Sequence, residues 1–68
     1  MTQKEIVSEL KSLVEDFQDK EQECFREMSY CHKHRYHLEE EAIRYRQETY
    51  NRCWLELDRV VEKILEKI

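Results

Sequence analysis

The chain has 68 residues, contains no glycine and no proline, and carries a formal net charge of −4 at pH 7. Glycine and proline normally make tight turns and hairpins, so their absence argues against a sheet protein. Charged residues make up 41% of the chain, which leaves too little apolar surface for a stable compact globule of this size. These numbers favour an all-α chain that must associate with other helices.

The N-terminal half carries apolar residues at every third or fourth position, which is the spacing of one helix face. The pattern is a heptad in which valine, methionine and alanine occupy a positions, with Glu21 and Arg35 as polar interruptions. Exposed pairs such as Asp16 and Lys20 place an acid four residues before a base, which adds a few tenths of a kcal/mol to helix stability. The pattern therefore predicts a helix from the start of the chain.

The C-terminal half carries an equally strong stripe in a different heptad phase. Steps of four residues from Leu38 through Ala42 to Tyr50 and Trp54 join the two phases. Such steps predict a register shift around residues 38–54 that helix geometry absorbs. The expected fold is one long helix over residues 1–68, forming a coiled coil or an intermolecular helical bundle of two to four chains. We expect this segment to belong to a longer scaffold protein.

The apolar stripe supplies the candidate interface. Ile6, Leu13 and Val60 lie beside the a and d positions and make the stripe wider than a two-stranded seam requires. The predicted interface residues are Ile6, Val7, Leu10, Leu13, Val14, Phe17, Cys24, Met28, Cys31, Leu38, Ala42, Tyr50, Trp54, Leu57, Val60, Val61, Ile64 and Ile68.

A helical hairpin is the alternative architecture. The two strongest apolar blocks lie at the ends of the chain, and a turn in the polar centre at residues 30–37 would match Leu10 with Leu57 and Phe17 with Tyr50. Two such hairpins would form a four-helix bundle. The sequence argues against this because the centre offers none of the usual turn residues apart from Ser29.

Cysteine and histidine cluster near the centre and suggest a second alternative, a metal- or pH-responsive helical switch at Cys31, His34 and His37. Side chains three residues apart point in progressively different directions around a helix. These three could therefore bind one metal ion only together with ligands from a second helix. Neither a CxxC nor an HxxxH spacing is present. Small buried seam residues explain Cys24 and Cys31 equally well. No metal or cofactor is predicted.

The sequence argues against several classes of function. The acidic balance argues against nucleic acid, and no apolar run exceeds three residues, which argues against a membrane span. Three widely spaced cysteines indicate a reducing, intracellular compartment. No nucleophile, base and acid can be placed together on a rod, so we expect no enzymatic activity. Association with protein helices, either a second copy or a different coiled-coil chain, is the predicted function.

The whole chain resembles segments of long coiled-coil scaffold proteins of the centrosome, the cytoskeleton or trafficking machinery. The likeness lies in cysteine, histidine and tyrosine near the seam and in a change of register, rather than in a specific motif. The resemblance implies a structural role in the cytoplasm or cytoskeleton.

Overall fold

The computed structural model describes residues 2–67, which form two helices and a short turn. Helix α1 spans Gln3–Lys33 and helix α2 spans His37–Glu66. The helices pack along each other as a hairpin about 50 Å long. The all-α class is confirmed. The single long helix is not, because the chain folds back at residues 34–36 into the hairpin that the sequence offered as its alternative.

The turn is a Schellman motif in which an arginine takes the place normally held by glycine. The Tyr36 N–H donates to the Cys31 carbonyl at 2.8 Å, and the Arg35 N–H donates to the His32 carbonyl at 3.3 Å. These are the two backbone bonds that define the motif. Arg35 has φ 61°, a left-handed conformation that costs a non-glycine residue about 1–2 kcal/mol. The lack of glycine therefore makes the turn costly without preventing it.

The phases of the two stripes explain why the chain turns. Cys31 ends the buried stripe of α1, and Ile43 begins that of α2. In one uninterrupted helix, these residues would lie about 120° apart around the axis. A single straight partner cannot cover both stripes. In the hairpin, each helix is free to rotate its own stripe inward.

Each helix keeps a regular heptad of its own. The seam residues follow alternating steps of three and four, as Val7, Leu10, Val14, Phe17, Glu21, Cys24, Met28 and Cys31 in α1 and as Ile43, Gln47, Tyr50, Trp54, Leu57, Val61 and Ile64 in α2. The predicted register shift around residues 38–54 is not found, because α2 holds one phase from Ile43 onward. The heptad pattern predicts Leu38 and Ala42 on the stripe, but both are exposed. The change of phase falls in the turn instead.

The core lies along the seam between the two helices. The Phe17 and Tyr50 rings approach to 6.1 Å between centroids, so the pairing expected for a hairpin is confirmed. The largest buried cluster consists of Cys24, Cys31 and Ile43, with Met28 and Tyr50 packed against it. Toward the other end, Val7, Val14 and Val61 are buried.

The two helix starts differ in how they satisfy their free N–H groups. Thr2 caps α1, and its hydroxyl accepts a hydrogen bond from the Glu5 N–H at 3.2 Å. This is the threonine half of a capping box. Tyr36 precedes α2 without a side-chain cap, so that start relies on acidic residues in its first turn, Glu39 and Glu40.

Candidate interaction surface

Most residues of the predicted interface lie in the seam of a single chain. Val7, Val14, Cys24, Cys31 and Val61 are buried between α1 and α2. A second group is half-buried along the same seam and consists of Leu10, Phe17, Met28, Tyr50, Trp54, Leu57 and Ile64. Apolar surface that the sequence assigned to another chain is thus covered largely by the hairpin itself. Ile68 lies outside the described residues.

Three seam residues are absent from the predicted interface: Ile43, Glu21 and Gln47. Ile43 is buried, and its place follows from stepping back seven residues from Tyr50, which extends the C-terminal heptad. Glu21 is also buried, at 6% exposure. The heptad pattern predicts its position, but treats a carboxylate there as a polar interruption of the stripe. Only the partners on α2 show why it is tolerated.

Glu21 is held by two side chains from the opposite helix. The Trp54 Nε1–H donates to Oε1 at 2.8 Å, and the Gln47 Nε2 donates to Oε2 at 2.6 Å. Both carboxylate oxygens therefore have a partner within the seam. Such pairing offsets the desolvation that makes a lone buried carboxylate so unfavourable. The cluster ties one level of α1 to one level of α2.

The structure does not bring together the residues of the proposed metal switch. Cys31 is buried in the seam, whereas the His34 ring lies 4.2 Å from the Tyr30 ring and 5.8 Å from the Tyr36 ring. His37 instead places Nδ1 3.9 Å from Glu40. Within residues 2–67, no three histidine, cysteine or acidic side chains are grouped closely enough to hold a metal ion.

The Glu40 carboxylate lies close to three basic side chains near the turn. One carboxylate oxygen lies 3.4 Å from the His32 Nδ1 and 3.5 Å from an Arg44 guanidinium nitrogen, and the other faces His37. His32 belongs to α1, while the other three residues belong to α2. The carboxylate therefore joins the two helices beside the turn.

Apolar side chains beside the seam, together with the half-buried seam residues Phe17 and Leu57, form a strip on one side of the hairpin, toward the end opposite the turn. Phe17, Cys53, Leu57 and Val60 line a shallow groove of about 330 Å³ together with Glu56. Leu13 lies one helical turn before Phe17, and a further step of seven residues leads to Ile6 on the same face. We name Ile6, Leu13, Phe17, Cys53, Leu57 and Val60 the open-end strip.

The open-end strip is accessible to a partner. Ile6 is 40% exposed, Leu13 is 44% exposed and Val60 is 46% exposed. A strip from Ile6 to Phe17 runs about 16 Å along α1, or three helical turns. Contiguous apolar surface of this kind, unlike scattered single side chains, is typical of an interaction site.

Carboxylates line the edges of the open-end strip. Glu56 shares the groove with the strip residues, and Glu9 and Asp16 flank Leu13 in a second shallow depression. The nearest bases by helical spacing are Lys20 and Lys63, and neither lines either depression. Every charged side chain that lines either depression is therefore a carboxylate.

The three free thiols divide into two classes. Cys24 and Cys31 are buried, and Cys53 is half-buried in the groove. Burial raises the pKa of the Cys24 thiol above its ordinary value of 9.0, and nearby carboxylates, Glu27 foremost, add to the rise. Burial likewise raises the pKa of Cys31, reinforced mainly by Glu39. A covered, protonated thiol is a poor nucleophile.

We expect iodoacetamide to alkylate Cys53 at least tenfold faster than Cys24 or Cys31 at about pH 8. Mass spectrometry of proteolytic peptides gives the three rates, and the same reaction in urea should equalise them. Because the folded chain binds the Cys24 and Cys31 protons more tightly, their contribution to the free energy of unfolding is complete below pH 9.0 and falls as the pH rises above it. Equal alkylation rates in the native chain would contradict the burial of these thiols.

Comparison of the chain with protein-family models, with curated proteins and with solved structures gives no significant match. Neither α1 nor α2 combines the length and apolar character that crossing a lipid bilayer requires. The interpretation of the surface therefore depends on the side chains themselves.

Proposed function

We propose that the chain is a helical docking module that binds an amphipathic helix of a partner protein along the open-end strip. The observation that supports this most directly is the exposure of Leu13 and Val60 beside the groove of Phe17 and Leu57. A helix laid on this strip would convert the two-helix layer into a three-helix packing. Such grooves bind a partner through apolar anchors spaced at i, i+3 or i+4, and i+7.

A second copy fits the open-end strip less well than a foreign helix. Glu56 shares the groove with Phe17, and Asp16 precedes Phe17 in the chain, so these two acids lie at nearly the same level on opposite edges of the strip. Two copies with their turns at the same end would bring Asp16 of each copy close to Glu56 of the other. Reversing one copy about the level of Leu13 would bring Glu9 of each copy opposite Asp16 of the other. Both arrangements place like charges at the interface, which opposes association.

A structural rather than catalytic role is part of the proposal. Three free cysteines, two of them buried, support a reducing intracellular compartment. Assembly within a cytoplasmic, cytoskeletal or centrosomal scaffold is the setting that the resemblance to coiled-coil scaffold proteins implies. In that setting the hairpin would supply one docking surface rather than a long rod.

The test uses a designed amphipathic peptide of about 18 residues with leucine anchors and neutral flanking residues. Leu13→Glu is expected to weaken binding at least tenfold, because it removes apolar surface that binding would bury and places a carboxylate against the leucine anchors of the peptide. Isothermal titration measures the dissociation constant. The matched control is Leu55→Glu, since Leu55 is also 44% exposed but lies about 140° around α2 from Val60.

Three outcomes are informative. Weakened binding by Leu13→Glu alone supports the strip as the docking surface. Equal binding by both variants, or no binding by the unmodified chain, contradicts it. Light scattering is run in parallel, starting from the chain mass of 8.6 kDa. A dimer that Leu13→Glu dissociates and Leu55→Glu does not would assign the strip to a second copy and overturn the choice of partner.

A further inference from the structure

We infer that the helix bound by the open-end strip carries basic residues on both sides of its apolar face. This inference rests on the proposed function and specifies the chemistry of the partner. Its basis is the juxtaposition of an apolar strip with three rim carboxylates, Glu9, Asp16 and Glu56. The partner class is therefore a basic amphipathic helix from another protein.

The rim acids lie on both edges of the strip. Glu9 and Asp16 follow α1 seven residues apart, and Glu56 lies on α2. All three side chains are exposed. A helix resting between these edges would present one flank to α1 and the other to α2. Lysine or arginine on both flanks would thus meet an acid on either side, while its apolar anchors enter the strip.

The same acids select against other occupants. A helix with glutamate on its flanks would meet like charge along both edges, as a second copy would. Charge at an interface rim contributes more to the choice and orientation of a partner than to total affinity. Each exposed pair changes affinity by roughly twofold or more, so three pairs give a preference of about tenfold.

The experiment compares two amphipathic peptides that share the same leucine anchors and differ only in lysine or glutamate on the flanks. The unmodified chain is expected to bind the lysine peptide at least tenfold more tightly. The triple variant Glu9→Lys, Asp16→Lys, Glu56→Lys should reverse that order. Raising the salt concentration from about 0.05 to 0.5 M should remove most of the preference, because the pairs are solvent-exposed.

The matched control reverses three exposed acids on the opposite side of the hairpin, Glu15→Lys, Glu48→Lys and Glu62→Lys. It changes the net charge by the same amount as the rim triple does. Any general attraction between a basic peptide and an acidic protein is therefore altered equally in the two triple variants. The control should keep the preference for the lysine peptide. Circular dichroism confirms that both triples remain helical before binding is compared.

The outcomes separate the inference from the proposed function. Equal affinity for both peptides, with binding still weakened by Leu13→Glu, overturns the basic partner and leaves the docking surface intact. An identical response of both triples attributes the preference to overall charge and also overturns the inference. If the unmodified chain binds neither peptide, the docking surface itself is contradicted.

Discussion

Val61→Asp is expected to abolish the helical fold of the chain at ambient temperature. Val61 is the least exposed residue of the described hairpin, at 2%, and it faces α1 from the middle of the apolar block of α2. A carboxylate there would be desolvated without a partner, which costs several kcal/mol. A single core in a chain this short rarely supplies more than about 3–5 kcal/mol. The substitution therefore removes most of the available stability.

Val60→Asp is the matched control for this prediction, because it makes the same change one residue earlier on a side chain that is 46% exposed. Circular dichroism at 222 nm and a urea titration should show a folded chain for Val60→Asp and a largely unfolded one for Val61→Asp. Since Val60 belongs to the open-end strip, Val60→Asp should fold but bind the amphipathic peptides more weakly than the unmodified chain does. A native spectrum and unchanged urea midpoint for Val61→Asp would refute the seam assignment.

The heptad pattern predicted most of the seam because burial in a helical pair follows the sequence period directly. Val7, Val14 and Val61 are buried at the positions that the pattern assigns them. The pattern does not say whether the covering surface comes from the same chain or from another one. A stripe has the same spacing in a hairpin as in a coiled coil, so this choice depends on the turn.

The residue types at the centre of the chain argue against a turn, and the sequence is least informative at this point. Arg35 occupies a left-handed conformation that propensity assigns to glycine. Its cost is local, while the packing it permits extends along two helices of 31 and 30 residues. Tertiary burial thus outweighs an unfavourable turn residue. The change of heptad phase was the available clue, because one straight helix cannot present both stripes to one partner.

The open-end strip was partly visible in the sequence, since Ile6, Leu13 and Val60 widened the stripe beyond its seam. Their excess width suggested a bundle of more than two helices. The structure adds that Val60 lines the groove together with Glu56, and that Leu13 lines a second depression together with Glu9 and Asp16. The acidic rim residues on α1 are far in sequence from the one on α2. Only the folded hairpin brings them to the edges of the same strip.

The buried cluster of Glu21, Gln47 and Trp54 gives the second large expected effect. Trp54→Phe should lower the free energy of unfolding by about 2–3 kcal/mol, because it removes the N–H that satisfies one oxygen of a buried carboxylate. In a Glu21→Leu background, the same change should cost about 1 kcal/mol, the share due to the smaller ring. Urea unfolding followed by circular dichroism measures all four chains.

The difference between the two costs of Trp54→Phe isolates the interaction with Glu21 from the packing of the indole. A coupling of about 1–2 kcal/mol is expected for a hydrogen bond to a carboxylate in the seam. Glu21→Leu alone should be close to neutral, because it removes the desolvated charge while leaving the Trp54 and Gln47 donors without their acceptor. Additive costs would show that the carboxylate and the indole act independently. A measurable coupling would instead show that this cluster reinforces the alignment of α1 and α2 that the short turn at residues 34–36 sets, because its two hydrogen bonds form only when Glu21 lies between Gln47 and Trp54.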